Sequence, residues 1–198
     1  LHEDMASNLS SVRELLLVNI ENFMNFNNLI GFQRGNEVLY EIGQQLSAII
    51  PVQDTIYRYY SDKFIIIHRS EHLTAEDVVE DIFTMFKKCE FAGVRLNPYI
   101  GSTINTRPGN TFEDLIKELE IASQAAKALS YKYSPYSDKL YQDFHDSAEI
   151  EMSLKKAVEM QEWSVFYQPK MNVSSTSAIG AEALIRWKNS KYSPAVFI

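Results

Sequence analysis

Cysteine is almost missing from this chain. The single thiol, Cys89, rules out an internal disulfide and fits a reducing compartment. It ends a helical apolar pattern that includes Phe86, where a small buried hydrophobe is the ordinary role and a reactive thiol the alternative. A basic excess is also lacking. Nineteen Lys and Arg face 26 Asp and Glu, for a formal net charge of −7. A phosphate backbone would be repelled, and no cationic cluster marks a nucleic-acid groove. No apolar run approaches the roughly 20 residues that span a bilayer, and no leader pattern opens the chain. The expectation is a cytoplasmic segment without membrane contact of its own; a membrane or sensor segment upstream would be compatible with it. The histidines, His2, His68, His72 and His145, are scattered without metal-ligand spacing. Repeats and low-complexity stretches are missing too.

What is there is apolar patterning. Hydrophobic residues make up 45% of 198, enough for one domain and part of another. A short stripe, Leu9, Val12 and Leu16, predicts the end of a helix. Leu15–Ile20 is a continuous apolar run suited to a buried strand. After Gly35, Val38, Leu39, Ile42, Leu46 and Ile49 share a helical face that Pro51 stops. Thr55–Tyr60 and Phe64–Ile67 read as a hairpin turning at Ser61-Asp62. Thr74 caps a helix with Asp77 three residues on, and Val78, Val79, Ile82, Phe83 and Phe86 form its apolar side. Arg95–Ile104 reads as a strand interrupted by Pro98 and Gly101. A helix capped by Thr111 or Asn110 carries Leu115, Leu119, Ala122 and Ala126. Tyr131–Tyr136 reads as the most mobile loop, Lys139–Phe144 as a short strand, and Ser147–Trp163 as a charged amphipathic helix. The order β-α-β-β-α-β-α-β predicts an α/β fold with a mostly antiparallel sheet flanked by helices. A domain boundary is expected at 145–150, giving domains 1–145 and 146–198.

The stretch Phe166–Trp187 carries the sharpest chemical signal. Glu182, Leu184 and Arg186 alternate along an apolar strand and so share a face. An acid and a cation on one such face make either a site for a metal and an anion or a surface ion pair.

Two resemblances follow from the motifs. Tyr167-Gln168-Pro169, Glu182-Ala183-Leu184 and Arg186-Trp187, with Ser193-Pro194 and Phe197-Ile198 after them, resemble the opening of an EAL domain, a cyclic di-GMP phosphodiesterase. That resemblance implies a (β/α)8 barrel, which needs on the order of 250 residues, with Mg²⁺ or Mn²⁺ at its centre. It casts Glu182 as a metal ligand and Gln168, Leu184 and Arg186 as contacts to the cyclic dinucleotide substrate. Only the first strands of such a barrel fit in this chain, and the catalytic set is not complete within it. The stretch Lys191-Tyr192-Ser193 looks abbreviated against the family pattern.

The first domain resembles a degenerate GGDEF domain, the fold that makes cyclic di-GMP from GTP. Val18-Asn19-Ile20-Glu21-Asn22-Phe23 stands where that family writes I-D-I-D-x-F, Asn27-Asn28 where it writes N-D, and Gly31 with Gly35-Asn36 where it writes G-H-x-x-G-D. Tyr60-Ser61-Asp62-Lys63-Phe64 replaces the name-giving turn, and Ala126-Lys127 matches the A-K of the last helix. Asn19 puts an amide where a metal-binding Asp is expected, and Lys63 puts a cation where an acid is expected. Phosphoryl transfer needs carboxylates around its metal ions, so loss of cyclase activity is expected. Pro51-Val52-Gln53-Asp54 lacks the arginine of the family's R-x-x-D inhibitory site. The resemblance makes Asn27, Asn36 and Asp62 candidates for binding GTP as a regulatory ligand; turn and cap roles are the alternative for the two amides. The implied protein is a cyclic di-GMP phosphodiesterase with a cyclase-inactive regulatory or dimerising domain. The alternative is a non-catalytic receptor or scaffold for cyclic di-GMP or GTP.

Overall fold

The computed structural model describes residues 14–104, 110–175 and 177–188. The expected N-terminal helix, and the motif residues Ser193-Pro194 and Phe197-Ile198, lie outside them. The chain divides into two compact units, Leu1–Tyr141 and Gln142–Ile198.

The first unit is built on strand β1, Glu14–Ile20, whose apolar run makes it the centre of a five-stranded sheet. On one side it pairs antiparallel with β3 (Lys63–His68), which forms a hairpin with β2 (Thr55–Tyr60). On the other it pairs antiparallel with β4 (Pro98–Thr103). A last strand, β5 (Tyr133–Pro135), runs parallel to β4. The sheet order is β2-β3-β1-β4-β5, mixed rather than purely antiparallel.

Alternation along β1 splits the core into two layers. Leu16, Val18 and Ile20, with Phe64, Ile66 and Ile100, face helices α1 (Phe23–Ile30), α2 (Phe32–Ile49) and α3 (Ala75–Lys88). Leu15, Leu17, Ile65 and Ile67 face Leu115 and Leu119 of α4, Phe112–Ala128. Both α3 and α4 open with a reciprocal capping box, Thr74 with Asp77 and Thr111 with Asp114. Cys89 is half-buried against the first layer, in the role of a small hydrophobe. Gly101 in β4 is needed for close approach: a Cβ there would lie 2.3 Å from the backbone nitrogen of Ser123, so α4 sits directly on the strand.

Three expectations need correction. Lys139–Phe144 is not a strand but the first turns of helix α5, Asp138–Glu159, which starts nine residues before Ser147. Ser137 caps it by accepting from the Leu140 amide, and the alternation of so short a segment cannot be told from a helical repeat. Tyr131–Tyr136 is not a loose loop. The Ile100 amide donates to Lys132, and the Tyr136 amide to Ser102, which fastens β5 to β4. Tyr133 is hydrogen-bonded to Ser102, and burial pushes its phenol up to about 12. Helix α1 is an addition to the expected order; it is only eight residues long, and Phe23, Phe26 and Ile30 give it an apolar side of two turns.

The second unit contains a two-stranded antiparallel hairpin, β6 (Trp163–Met171) and β7 (Ala178–Trp187). Trp163 packs on Trp187 with ring centroids 5.4 Å apart, and the Trp187 indole donates to Glu162.

Candidate functional site

The odd-numbered face of the sheet is apolar at Leu15 and Leu17 and turns polar at Asn19. Sheet register then sets three side chains in a row, because Asn19 pairs with Lys63 on β3 and with Tyr99 on β4. They open onto a cavity of about 400 Å³ bounded by α1, the β2–β3 turn and α4. Asn19 is 6% exposed and hydrogen-bonded to Tyr99. Burial raises the Tyr99 phenol, and the negative charges of Asp62, Glu120 and Glu21 raise it further. Lys127 holds its ammonium 5.9 Å from the centre of the Tyr99 ring.

The turn supplies Ser61, Asp62 and Lys63. Ser61 adopts φ +51°, a left-handed conformation that costs a non-glycine residue roughly 1–2 kcal/mol. The Arg58 guanidinium steadies it by donating to the Ser61 carbonyl at 3.1 Å. Lys63 does not reach into open solvent. Its Nζ lies 2.7 Å from both carboxylate oxygens of Glu120 on α4.

Two polar atoms at the cavity have no partner. Asn27 Oδ1 is buried without a hydrogen bond, with its amide folded over Gly35, where any Cβ would collide with it. Ser123 is 1% exposed and its Oγ is also unpartnered. A buried polar atom without a partner costs free energy, so the Asn27 oxygen and the Ser123 hydroxyl are the cavity's unspent hydrogen-bonding groups.

Of the sequence-selected residues, Asn27 and Asp62 line this cavity. Asn36 does not: it is exposed and its Oδ1 accepts from Arg58 at 3.1 Å. Glu120, Ser123 and Tyr99 belong to no motif in the sequence. Their only signal is position, on the helix and strand that register brings beside Asn19.

The donors do not suit a divalent ion. A divalent ion at a phosphate site needs one or two free carboxylates beside its waters and the substrate oxygens. Asp62 offers one carboxylate, Glu120 is occupied by Lys63, and Asn19 offers an amide. Among the described residues, the acidic cluster with metal-ligand spacing is His145, Asp146 and Glu149, exposed on α5 and remote in sequence from this site.

In the second unit, register pairs Gln168 with Glu182, Phe166 with Leu184 and Ser164 with Arg186. Opposed residues of an antiparallel pair share a face, so Gln168, Glu182, Leu184 and Arg186 do stand together. Glu182 is exposed, with Lys170 Nζ 3.8 Å away, and Arg186 donates to the Ile185 carbonyl.

Residues 2–131 match the family model described as diguanylate cyclase, GGDEF domain. The chain belongs to the GGDEF domain family. The active GGEEF domain of a diguanylate cyclase from Vibrio cholerae has the same fold, with a TM-score of 0.58 at 20% identity over 69% of this chain and 90% of that one. An uncharacterized Synechocystis protein, sll1895, is 30% identical over 96% of this chain and 29% of its own length. The bifunctional diguanylate cyclase/cyclic di-GMP phosphodiesterase MucR of Pseudomonas aeruginosa is 24% identical over 90% of this chain and 27% of its own. The chain therefore spans under a third of either relative. Both likenesses run past the GGDEF domain into the second unit.

Proposed function

We propose that this GGDEF domain is a cyclase-inactive regulatory module of a cyclic di-GMP phosphodiesterase, and that β6 and β7 begin its EAL-type hydrolase domain. The observation that carries the reading is the shared face of Gln168, Glu182, Leu184 and Arg186, which places a carboxylate between an amide and a guanidinium. Sequence likeness that runs past the GGDEF domain to a protein named as a bifunctional cyclase/phosphodiesterase supports it.

In the assembled barrel Glu182 would help hold Mg²⁺ or Mn²⁺, and the ion would supply Lewis-acid activation of water for hydrolysis of the phosphodiester. One carboxylate is not a metal site, and the remaining ligands would come from outside this chain. Arg186 offers a planar fork for a phosphate, Gln168 an amide, and Leu184 an apolar wall. The first domain has lost the acidic donors for a metal-triphosphate complex, which argues against synthesis of cyclic di-GMP. The unpartnered Asn27 oxygen supports GTP as its regulatory ligand. Asn36 would join only by leaving Arg58.

A second reading, a non-catalytic cyclic di-GMP receptor, is favoured by one observation: Lys170 sits where it competes with a metal for Glu182. Hydrolysis of cyclic di-GMP by the full-length protein with Mg²⁺ or Mn²⁺, with and without GTP, separates the two. Linear dinucleotide that disappears in Glu182→Ala supports the phosphodiesterase, and binding without product supports the receptor.

A further inference from the structure

The cavity of the GGDEF domain lacks the donors for a divalent ion, yet it has a built-in cation. Lys63 comes from the turn, and its position is set by pairing with Asn19 in the centre of the sheet. Its side chain is 23% exposed, so its charge is felt in a partly desolvated place, where screening is weaker than in bulk water. Lys127, across the Tyr99 ring, is the second cation of the same cavity. Asp62 and Glu120 balance the two.

One of these four charges is held by a contact that a ligand can replace. Glu120 gives both oxygens to the Lys63 ammonium at 2.7 Å, but its own side chain is 40% exposed. An ammonium has three donors and binds phosphate oxygens as readily as carboxylate oxygens. A carboxylate released at that exposure is rehydrated by solvent. The exchange therefore needs no new cation and no rebuilding of the core.

We propose that this cavity binds a nucleoside triphosphate without a divalent ion, the polyphosphate taking the place of the Glu120 carboxylate on Lys63. The inference rests on the reading of GTP as the regulatory ligand and states how that ligand is held. Lys63 does the electrostatic work that metal ions do where the cavity is acidic. Lys127 is the second phosphate contact. Ser123 Oγ gains an acceptor in a phosphate oxygen, while Asn27 Oδ1 can be satisfied only by an N–H donor of the base, once its amide turns from Gly35. Glu120 is the competitor, so ligand entry breaks the ion pair that joins the β2–β3 turn to α4.

The test is GTP binding to the full-length protein by calorimetry, in EDTA and in Mg²⁺, with Lys63→Met, Lys63→Arg and Glu120→Gln. Circular dichroism checks that each variant is folded. The expected result is saturable binding in EDTA, weakened about tenfold or more by Lys63→Met, largely kept by Lys63→Arg, and tightened roughly three- to tenfold by Glu120→Gln, as loss of a charge-assisted contact or of its competitor implies. Glu120→Gln remains decisive even if Lys63→Met unfolds: unchanged or weaker binding overturns the proposal. Binding that requires Mg²⁺ overturns it too, while leaving GTP as the regulatory ligand. Absence of GTP binding in both conditions overturns the proposal and the regulatory reading together.

Discussion

His68 and Asp54 form a buried pair in which both imidazole nitrogens meet acceptors. Nδ1 lies 2.7 Å from Asp54 Oδ2, and Nε2 lies 3.0 Å from the Leu73 carbonyl oxygen. A carbonyl cannot donate, and the other Asp54 oxygen already accepts from the Arg69 and Ser70 amides. An imidazolium with a proton on each nitrogen, beside an ionised Asp54, satisfies all of them. The pair ties the start of β2 and the end of β3 to the loop that leads into α3.

That geometry makes stability depend on pH. The hydrogen bond from His68 to Asp54 raises the histidine above its usual 6.5; burial opposes this, and the charges of Asp54 and Glu14 and the Leu73 carbonyl add to it. A pKa raised in the folded state contributes stability that is complete below about 6.5 and is lost as pH rises through the folded value. Urea unfolding from pH 6 upward should show a falling midpoint in the wild type. His68→Gln, which keeps one donor, should be less stable at pH 6 and show a flatter profile.

Gly101→Ala should lower stability by about 1–3 kcal/mol, because the new methyl must displace the α4 backbone at Ser123 rather than a flexible side chain. Equilibrium unfolding in urea measures it. An unchanged midpoint would mean that α4 packs less closely on β4 than described.

Thr111→Ala removes the oxygen that accepts from the Asp114 amide and so half of a capping box. A loss of about 1 kcal/mol is expected. Thermal melts compare it with Thr74→Ala at the start of α3, where the same two bonds are present and a similar loss is expected.

Asn19→Asp combined with Lys63→Glu should convert the cavity into a divalent-ion site, since the new carboxylates would face Asp62 and a released Glu120. Titration with Mn²⁺ should show binding in the double variant and none at this cavity in the wild type. Without metal the double variant should be less stable, from four neighbouring acids.

Much of the fold was legible along the chain. The run Leu15–Ile20, the helical stripe from Val38, the hairpin at Ser61-Asp62 and the capping pair Thr74 and Asp77 are local signals, spaced by two, three or four residues. So was the alternation that sets Glu182, Leu184 and Arg186 on one strand face, whereas hairpin register brings Gln168 opposite Glu182. Local signals also misled: Lys139–Phe144 carries too few residues to separate a strand from a helix, and β5 is a strand only because β4 offers its edge. What tertiary structure alone decided is which distant residues meet. Lys63 and Glu120 are joined because the sheet register seats Lys63 beside Asn19 while Gly101 lets α4 lie close on the next strand. The order of residues determined that an amide stands at 19 and a lysine at 63; packing decided that they share a cavity and that the lysine is held by a carboxylate 57 residues away, because side chains so far apart in sequence meet only when the core has fixed their frames.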